Sequence, residues 1–305
     1  MNILHMRYAV EVARLGSLNK AAETLLIAQP NISRSIKELE KDLGIVIFSR
    51  SAKGMTLTPD GKEFIGYAKG ILRQIDNVEQ LYKGGAPKKQ KFSLYAPRAH
   101  YVSQALAEFS DHGADRPTEI LYREADAEQT LQAVLSDECK LGIIRYAEEQ
   151  ERYLQATLVQ KGLCSKPVAT FTYRLTMSSR HPLAQKKEIE PSALSPFAEI
   201  AHADAYLPSL SPKATDVMPA YHTERRIIAP DRAAQLALLL GDPSTFTWAA
   251  PVCKEELDRY GLVQRVCTEN DRCFRDVLIY RDTYKLTRSD KQFLAALNDA
   301  KRRHF

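Results

Sequence analysis

Apolar residues recur at three- and four-residue spacing from the start of the chain. Leu4, Tyr8, Val12 and Leu15 make one stripe, which predicts a first helix running up to Gly16, a residue suited to a helix end. Ser17 or Asn19 can cap a second helix, whose Ala21, Ala22, Leu25 and Leu26 supply the face and the small residues that a close helix crossing needs. Pro30 then sits where a third helix starts, because its fixed φ and missing N–H are tolerated only in a first turn. At about 100° per residue, Ile32, Ile36, Leu39 and Leu43 fall on one side of that helix, and Pro30, Ser33, Arg34, Lys37 and Lys41 on the other. The helix is half core and half cationic. Gly44 ends it, and residues 46–48 and 55–58 predict two short strands around a polar turn at 51–54.

Three helices followed by a hairpin form a winged helix-turn-helix, and the pattern next predicts a long helix. Thr58 and Pro59 are a cap and a first-turn proline, with no further stop before Gly84 and Gly85. Within it Phe64, Ala68, Ile71, Ile75, Val78 and Tyr82 alternate four- and three-residue steps, the seam of a coiled coil. A single-domain helix facing its own core could show the same stripe. Here little other core is available to receive it, so the seam predicts dimerisation.

From residue 92 the period changes. Strands are expected at 92–96, 119–123 and 141–145, with helices at 101–111 and 127–136 between them. A second round follows, with strands at 173–177, 197–201 and 226–228, a helix at 231–240 and a strand at 246–249. A strand at 273–280 and a helix at 289–302 return to the first lobe. Such alternation implies two α/β lobes with mostly parallel sheets. The expected domains are therefore 1–58, the winged helix-turn-helix, then 59–90, the linker helix and hinge, then 91–305. The last divides into lobe I at 91–163 and 270–305 and lobe II at 164–269.

Charge sharpens the picture. The chain holds 43 Lys and Arg against 38 Asp and Glu; residues 1–90 carry 14 against 9, which leaves 29 of each in 91–305. The whole excess belongs to the N-terminal part, as expected if only that part meets a polyanion. A helix fits the DNA major groove, where Gln and Arg pair bidentately with adenine and guanine edges and Ser bonds to bases or phosphate. Gln29, Ser33 and Arg34 are the expected readers, flanked by Pro30 and Asn31 in the first turn. Lys37, Arg50 and Lys53 are expected at phosphates or at the neighbouring minor groove.

Over residues 15–61 the chain resembles the LysR-type transcriptional regulators. The resemblance rests on Gly16-Ser17, Ala21-Ala22, Leu25, Gln29-Pro30, Ser33, Ile36, Leu39-Glu40, Leu43-Gly44, Phe48, Arg50 and Leu57-Thr58 with Gly61, in that order and spacing. Two departures are small: Ala28 replaces the usual Ser or Thr before Gln29, and Ile47 replaces the usual Leu. The resemblance implies a homodimer through the linker helix, a dimer of dimers through the C-terminal lobes and an interrupted palindrome as the double-stranded DNA target. RNA polymerase is a further implied partner. It also implies that the lobes resemble a periplasmic binding protein with a small effector between them. Here the matches are His181-Pro182-Leu183-Ala184 and Gly261-Leu262-Val263, while Lys140 stands where an acidic residue is common.

Ligands in open α/β sheets bind beyond the carboxyl ends of the strands, near free helix N–H groups. The loops there bring forward Arg98, His100, Tyr101, Arg145, Tyr206 and Trp248, three cations with aromatic walls, and predict an anionic effector. A ligand-independent regulator and a redox sensor using Cys267 and Cys273 are the alternatives within the same fold. An enzyme is disfavoured: GxSxG, GxGxxG, GxxxxGK and HExxH are absent, and the seven histidines show no ligand spacing. Five cysteines without a CxxC pair argue against a disulfide framework or zinc knuckle, so neither cofactor nor metal is expected. No apolar run suffices for a membrane span, and residues 1–15 read as an amphipathic helix, not a signal peptide, which predicts a cytoplasmic, nucleoid-associated protein.

Overall fold

The computed structural model describes residues 2–51, 54–83, 90–111, 118–201, 223, 225–229 and 231–305. The chain divides into two compact units, residues 1–88 with 132–139, and 89–131 with 140–305.

The first unit opens with α1 (Ile3–Leu15), α2 (Leu18–Leu25) and α3 (Gln29–Leu43), then the hairpin β1 (Phe48–Ser51) and β2 (Gly54–Leu57) and the 25-residue α4 (Pro59–Lys83). Gly16 ends α1 at φ 64°, a left-handed conformation that favours glycine, and the Ser17 side chain accepts a hydrogen bond from the Lys20 N–H to start α2. Met6, Tyr8, Ala9 and Val12 of α1 pack with Ala21, Ala22, Ile32, Ile36 and Leu39 in one core. The expected stripe is shifted at its edges. Leu4 is exposed, because the buried face of α1 runs through Met6 and Ala9. Leu26 does not join the helix crossing; it ends α2 at φ 54° and is 93% exposed. The first wing strand begins at Phe48, two residues later than expected, because Ile47 is spent in the core and its N–H goes to a side chain.

The linker helix is not one uniform seam. Ile65, Ala68 and Leu72 are buried in the N-terminal core, with Phe64 packed against it. Ala68 is fully buried there and is therefore not part of a surface that another subunit could cover. Tyr67, Ile71 and Val78 are exposed and Ile75 is half-buried. The side chain of Tyr82 lies outside the described residues, as do Lys53, Tyr206 and the Arg50 side chain.

The second unit contains β3 (Gln90–Ala96), α5 (His100–Asp111), β4 (Thr118–Glu124), the first part of α6 (Ala127–Leu135, whose residues from 132 on fall in the first unit), β5 (Leu141–Ala147), α7 (Glu151–Gln160) and β6 (Leu163–Thr172). It continues with β7 (Arg174–Ser178), β8 (Glu188–Ile189), β9 (Ala198–Ala201), β10 (Arg225–Ile228), α8 (Arg232–Gly241), β11 (Thr245–Ala249), α9 (Lys254–Arg259), β12 (Leu262–Cys267), β13 (Cys273–Arg281) and α10 (Arg288–His304). The sheets have the orders β4-β3-β5-β13-β6 and β10-β9-β11-β7-β12-β8.

Both sheets are mostly parallel, as expected, with one reversed strand in each. β3, β4 and β5 pair in parallel, but β13 runs antiparallel between β5 and β6, and β7 runs antiparallel between β11 and β12. The reason is connectivity: a chain that crosses to the second lobe and returns brings its last strand back against the direction of the first three. β6 belongs to the first sheet, so the chain passes between lobes at Tyr173 and not at residue 163. β6, α7 and α9 were not legible as elements; the β13 and α10 return was, and α10 packs Phe293 and Leu297 into the first lobe's core.

Candidate nucleic-acid interface and effector site

The third helix, α3, is positioned from three sides. Its buried face, Ile32, Ile36 and Leu39, sits on α1 and α2. Ala28 precedes it without a side-chain cap, and Pro30 supplies the missing-donor position. From its last turns Glu40 reaches forward, and its Oε1 accepts from the N–H of Ile47 at 2.7 Å and of Phe48 at 3.1 Å. That carboxylate fixes the strand leading into the wing, a role sequence reading did not assign although Glu40 lies within the motif. The wing is held again where the Met55 N–H donates to the Gly16 carbonyl at 2.9 Å. At the start of α4, the Gly61 N–H donates to Thr58 Oγ1 at 2.9 Å, and a β-carbon on Gly61 would sit 2.0 Å from the Ile47 carbonyl oxygen. Only glycine fits there.

These constraints leave one helix face outward. Pro30, Asn31, Arg34, Lys37 and Lys41 are exposed, and Gln29 and Ser33 are half-buried beside them. No ion pair or hydrogen bond engages the Arg34 guanidinium or the Lys37 ammonium among the described residues. The arrangement can present two exposed cations and several hydrogen-bonding groups to a groove of a polyanion.

The six expected effector residues fare differently. Arg145 is not available to a ligand: its Nε and Nη2 each lie 2.7 Å from the Asp276 carboxylate, which is 0% exposed. Burial opposes the charge of Arg145, but Asp276 outweighs it and raises the pKa well above the usual arginine range. Tyr101 is fully buried, and its hydroxyl donates to Asp276 Oδ2 at 2.6 Å. His100 is pushed down to about 4 by burial and by the charges of Arg232 and His304, so its imidazole is neutral at pH 7. Trp248 is 3% exposed within the second lobe's core with Leu175, Met177 and Phe246. Arg98 is half-buried and its carbonyl accepts from Arg145 Nη1 at 3.4 Å. Spacing alone could not reveal these pairings, because Asp276 returns from 131 residues away in sequence. Arg232, at the start of α8, was missed; it lies 2.6 Å from Glu124 at the carboxyl end of β4.

The two cysteines of the redox alternative lie on strands of different sheets, Cys267 on β12 and Cys273 on β13. The buried Cys267 thiol is pushed up to about 11 by burial and by Glu269, which favours the unreactive protonated form. No described helix is long and apolar enough to cross a membrane, and the described residues contain no metal-binding cluster of His, Cys, Asp and Glu.

Comparison with known proteins converges on the N-terminal domain. Residues 3–62 match the family model for bacterial regulatory helix-turn-helix proteins of the lysR family. The HTH-type transcriptional regulator YcgK of Bacillus subtilis is 50% identical over 78 residues, 26% of this chain and 24% of the relative. GltR of Bacillus subtilis is 32% identical over 183 residues (55% and 59%), and CysB of Burkholderia cenocepacia 27% identical over 212 (68% and 64%). The chain thus spans less than two thirds of the length of these curated relatives. Among solved structures, CbnR, a LysR family transcriptional regulator, aligns with a TM-score of 0.59 at 18% identity over 98% of this chain and 99% of that one. CbnR complexed with its target DNA aligns at 0.57 and 17% identity (98% and 100%), and a full-length OxyR variant from Pseudomonas aeruginosa at 0.55 and 16% (99% and 95%). At these identities the likeness concerns the fold.

Proposed function

We propose that the chain, whose residues 3–62 match the lysR-family model, is a LysR-type, sequence-specific DNA-binding transcriptional regulator whose C-terminal lobes take a small effector. The observation that carries this reading is the third helix: Ile32, Ile36 and Leu39 are buried while Arg34, Lys37 and Lys41 are exposed on the opposite face. Gln29, Ser33 and Arg34 are the proposed base readers, with Pro30 and Asn31 at the groove; Lys37, Arg50 and Lys53 are the proposed phosphate contacts. Two copies joined along Tyr67, Ile71, Ile75 and Val78 would present two such helices to the half-sites of an interrupted palindrome. Assembly into a dimer of dimers, contact with RNA polymerase and a cytoplasmic, nucleoid-associated location belong to the same proposal, as does the absence of catalysis. The proposed domain limits are revised to a DNA-binding and linker unit ending before residue 90 and two lobes parted at Tyr173.

With Arg145 bound to Asp276 and His100 neutral, two of the three cations that argued for an anionic ligand no longer do so. The effector is therefore proposed as a small molecule between the lobes without a charge class. A gel-shift experiment with duplex DNA flanking the protein's own gene tests the central reading. Retardation that survives excess unrelated competitor supports it, and retardation abolished equally by any DNA contradicts sequence reading. For the lobes, thermal shift of the full chain against a metabolite panel is the matching test, since a ligand that binds only the folded state raises its stability.

A further inference from the structure

The two lobes of the second unit are joined covalently at one side of the first sheet. The chain leaves that sheet from β6 and returns through β13, which are the last two strands of the order β4-β3-β5-β13-β6. β4 is the opposite edge, four strand spacings away, or about 19 Å at ordinary sheet geometry. A contact between lobes at β4 therefore has the longest lever arm against opening about the crossing.

Among the described residues, an ion pair occupies that place. Arg232, the first residue of α8 in the second lobe, follows the capping Asp231. Its Nη2 lies 2.6 Å from Oε1 of Glu124, the last residue of β4, and its Nη1 lies 3.4 Å from Oγ of Ser103 on α5. The same Glu124 oxygen accepts from the Tyr122 hydroxyl at 3.4 Å. The two side chains are 32% and 26% exposed, so the pair is better shielded than a surface bridge yet reachable from solvent. His100, next to Ser103 on α5, feels the Arg232 charge and is neutral at pH 7, so it does not compete for Glu124. The pair also stands at the carboxyl end of a parallel strand, where ligands of open α/β sheets bind.

We propose that Arg232 and Glu124 form a latch that holds the two lobes closed, and that the lobes respond to their regulator through its opening. This rests on the reading of the lobes as a regulatory domain and is independent of DNA recognition. Opening would turn the Arg232 guanidinium and the Ser103 hydroxyl toward the space between the lobes. Any solute that binds the open arrangement better would then shift the population, in proportion to that difference in affinity.

Amide hydrogen exchange of the full chain, followed by mass spectrometry, tests the latch. In Glu124→Gln and in Arg232→Ala, peptides from both lobes, residues 97–106 and 231–241, should exchange about threefold to tenfold faster, the effect of losing one partly shielded ion pair. The reversed pair E124R/R232E should return both peptides toward wild-type protection. Exchange unchanged in the single variants overturns the proposal, as does acceleration confined to the peptide carrying the substitution, or a reversed pair no better protected than either single variant. If the wild-type chain failed to bind DNA specifically, the proposed function would fall while these results would still decide the latch.

Discussion

Arg145 and Asp276 form a two-pronged ion pair inside the first lobe, Nε to Oδ1 and Nη2 to Oδ2 both at 2.7 Å, on the adjacent strands β5 and β13. Arg145 also stacks 4.7 Å from the Phe171 ring and donates to the Tyr173 hydroxyl at 3.3 Å, at the point where the chain crosses between lobes. Breaking one partner leaves an uncompensated buried charge. Asp276→Ala or Arg145→Ala should lower stability by ~3–5 kcal/mol, whereas replacing both with apolar residues should cost much less than the sum of the two. Chemical unfolding of the four proteins checks this. Additive losses would mean that the two side chains act independently.

The winged domain was largely legible because its determinants are local: Gly16, Ser17, Pro30, Gly44 and Thr58-Pro59 punctuate helices whose buried faces recur every three or four residues. The lobes were legible as alternating strands and helices in mostly parallel sheets but not in the placing of the reversed strands, since the β13 return and the Tyr173 crossing are set by contacts between distant segments. For the same reason the candidate effector residues misled. Arg145 and Tyr101 look available at strand and helix ends until Asp276 is brought beside them. Ala68 misled differently, because one helix carries two apolar stripes that overlap in a heptad reading.

That overlap separates two variants of α4. Val78→Asp should abolish self-association while leaving the N-terminal core folded, because Val78 is 53% exposed and an aspartate there is costly only in an apolar interface. Ala68→Asp, at a fully buried position, should instead unfold the N-terminal unit. Analytical ultracentrifugation with circular dichroism distinguishes the two. A Val78→Asp protein that sediments as wild type would put the subunit contact elsewhere.

Stability should fall as the medium is acidified from neutral. His100 and His181 have an ordinary pKa of 6.5 when exposed and are each pushed down to about 4 by burial in the fold, so between those values the unfolded chain binds more protons. Their contribution is complete above about pH 6.5 and is lost as the pH drops toward 4. Melting temperature should therefore decrease from pH 7 to pH 5, and a His100→Gln, His181→Gln double variant should show a weaker decrease over that interval. An equal decrease in the double variant would assign the pH dependence to other groups.

Within the recognition helix, Arg34→Ala should lose ~1–3 kcal/mol on a specific site while barely changing affinity for scrambled duplex. Lys37→Ala should weaken both about equally and lessen the salt dependence by about one counterion. Fluorescence anisotropy across a salt series reads both quantities. Equal losses on the two duplexes for Arg34→Ala would reduce it to a phosphate contact.

The central claim, that this chain reads DNA sequence as a symmetric dimer, is tested most directly by selecting bound duplexes from a random-sequence library with the full-length protein. Enrichment of an inverted repeat, with half-sites separated by whole helical turns of about 10 base pairs, is the predicted result. Recovery of a library no different from the input, at protein concentrations that saturate binding, would contradict it.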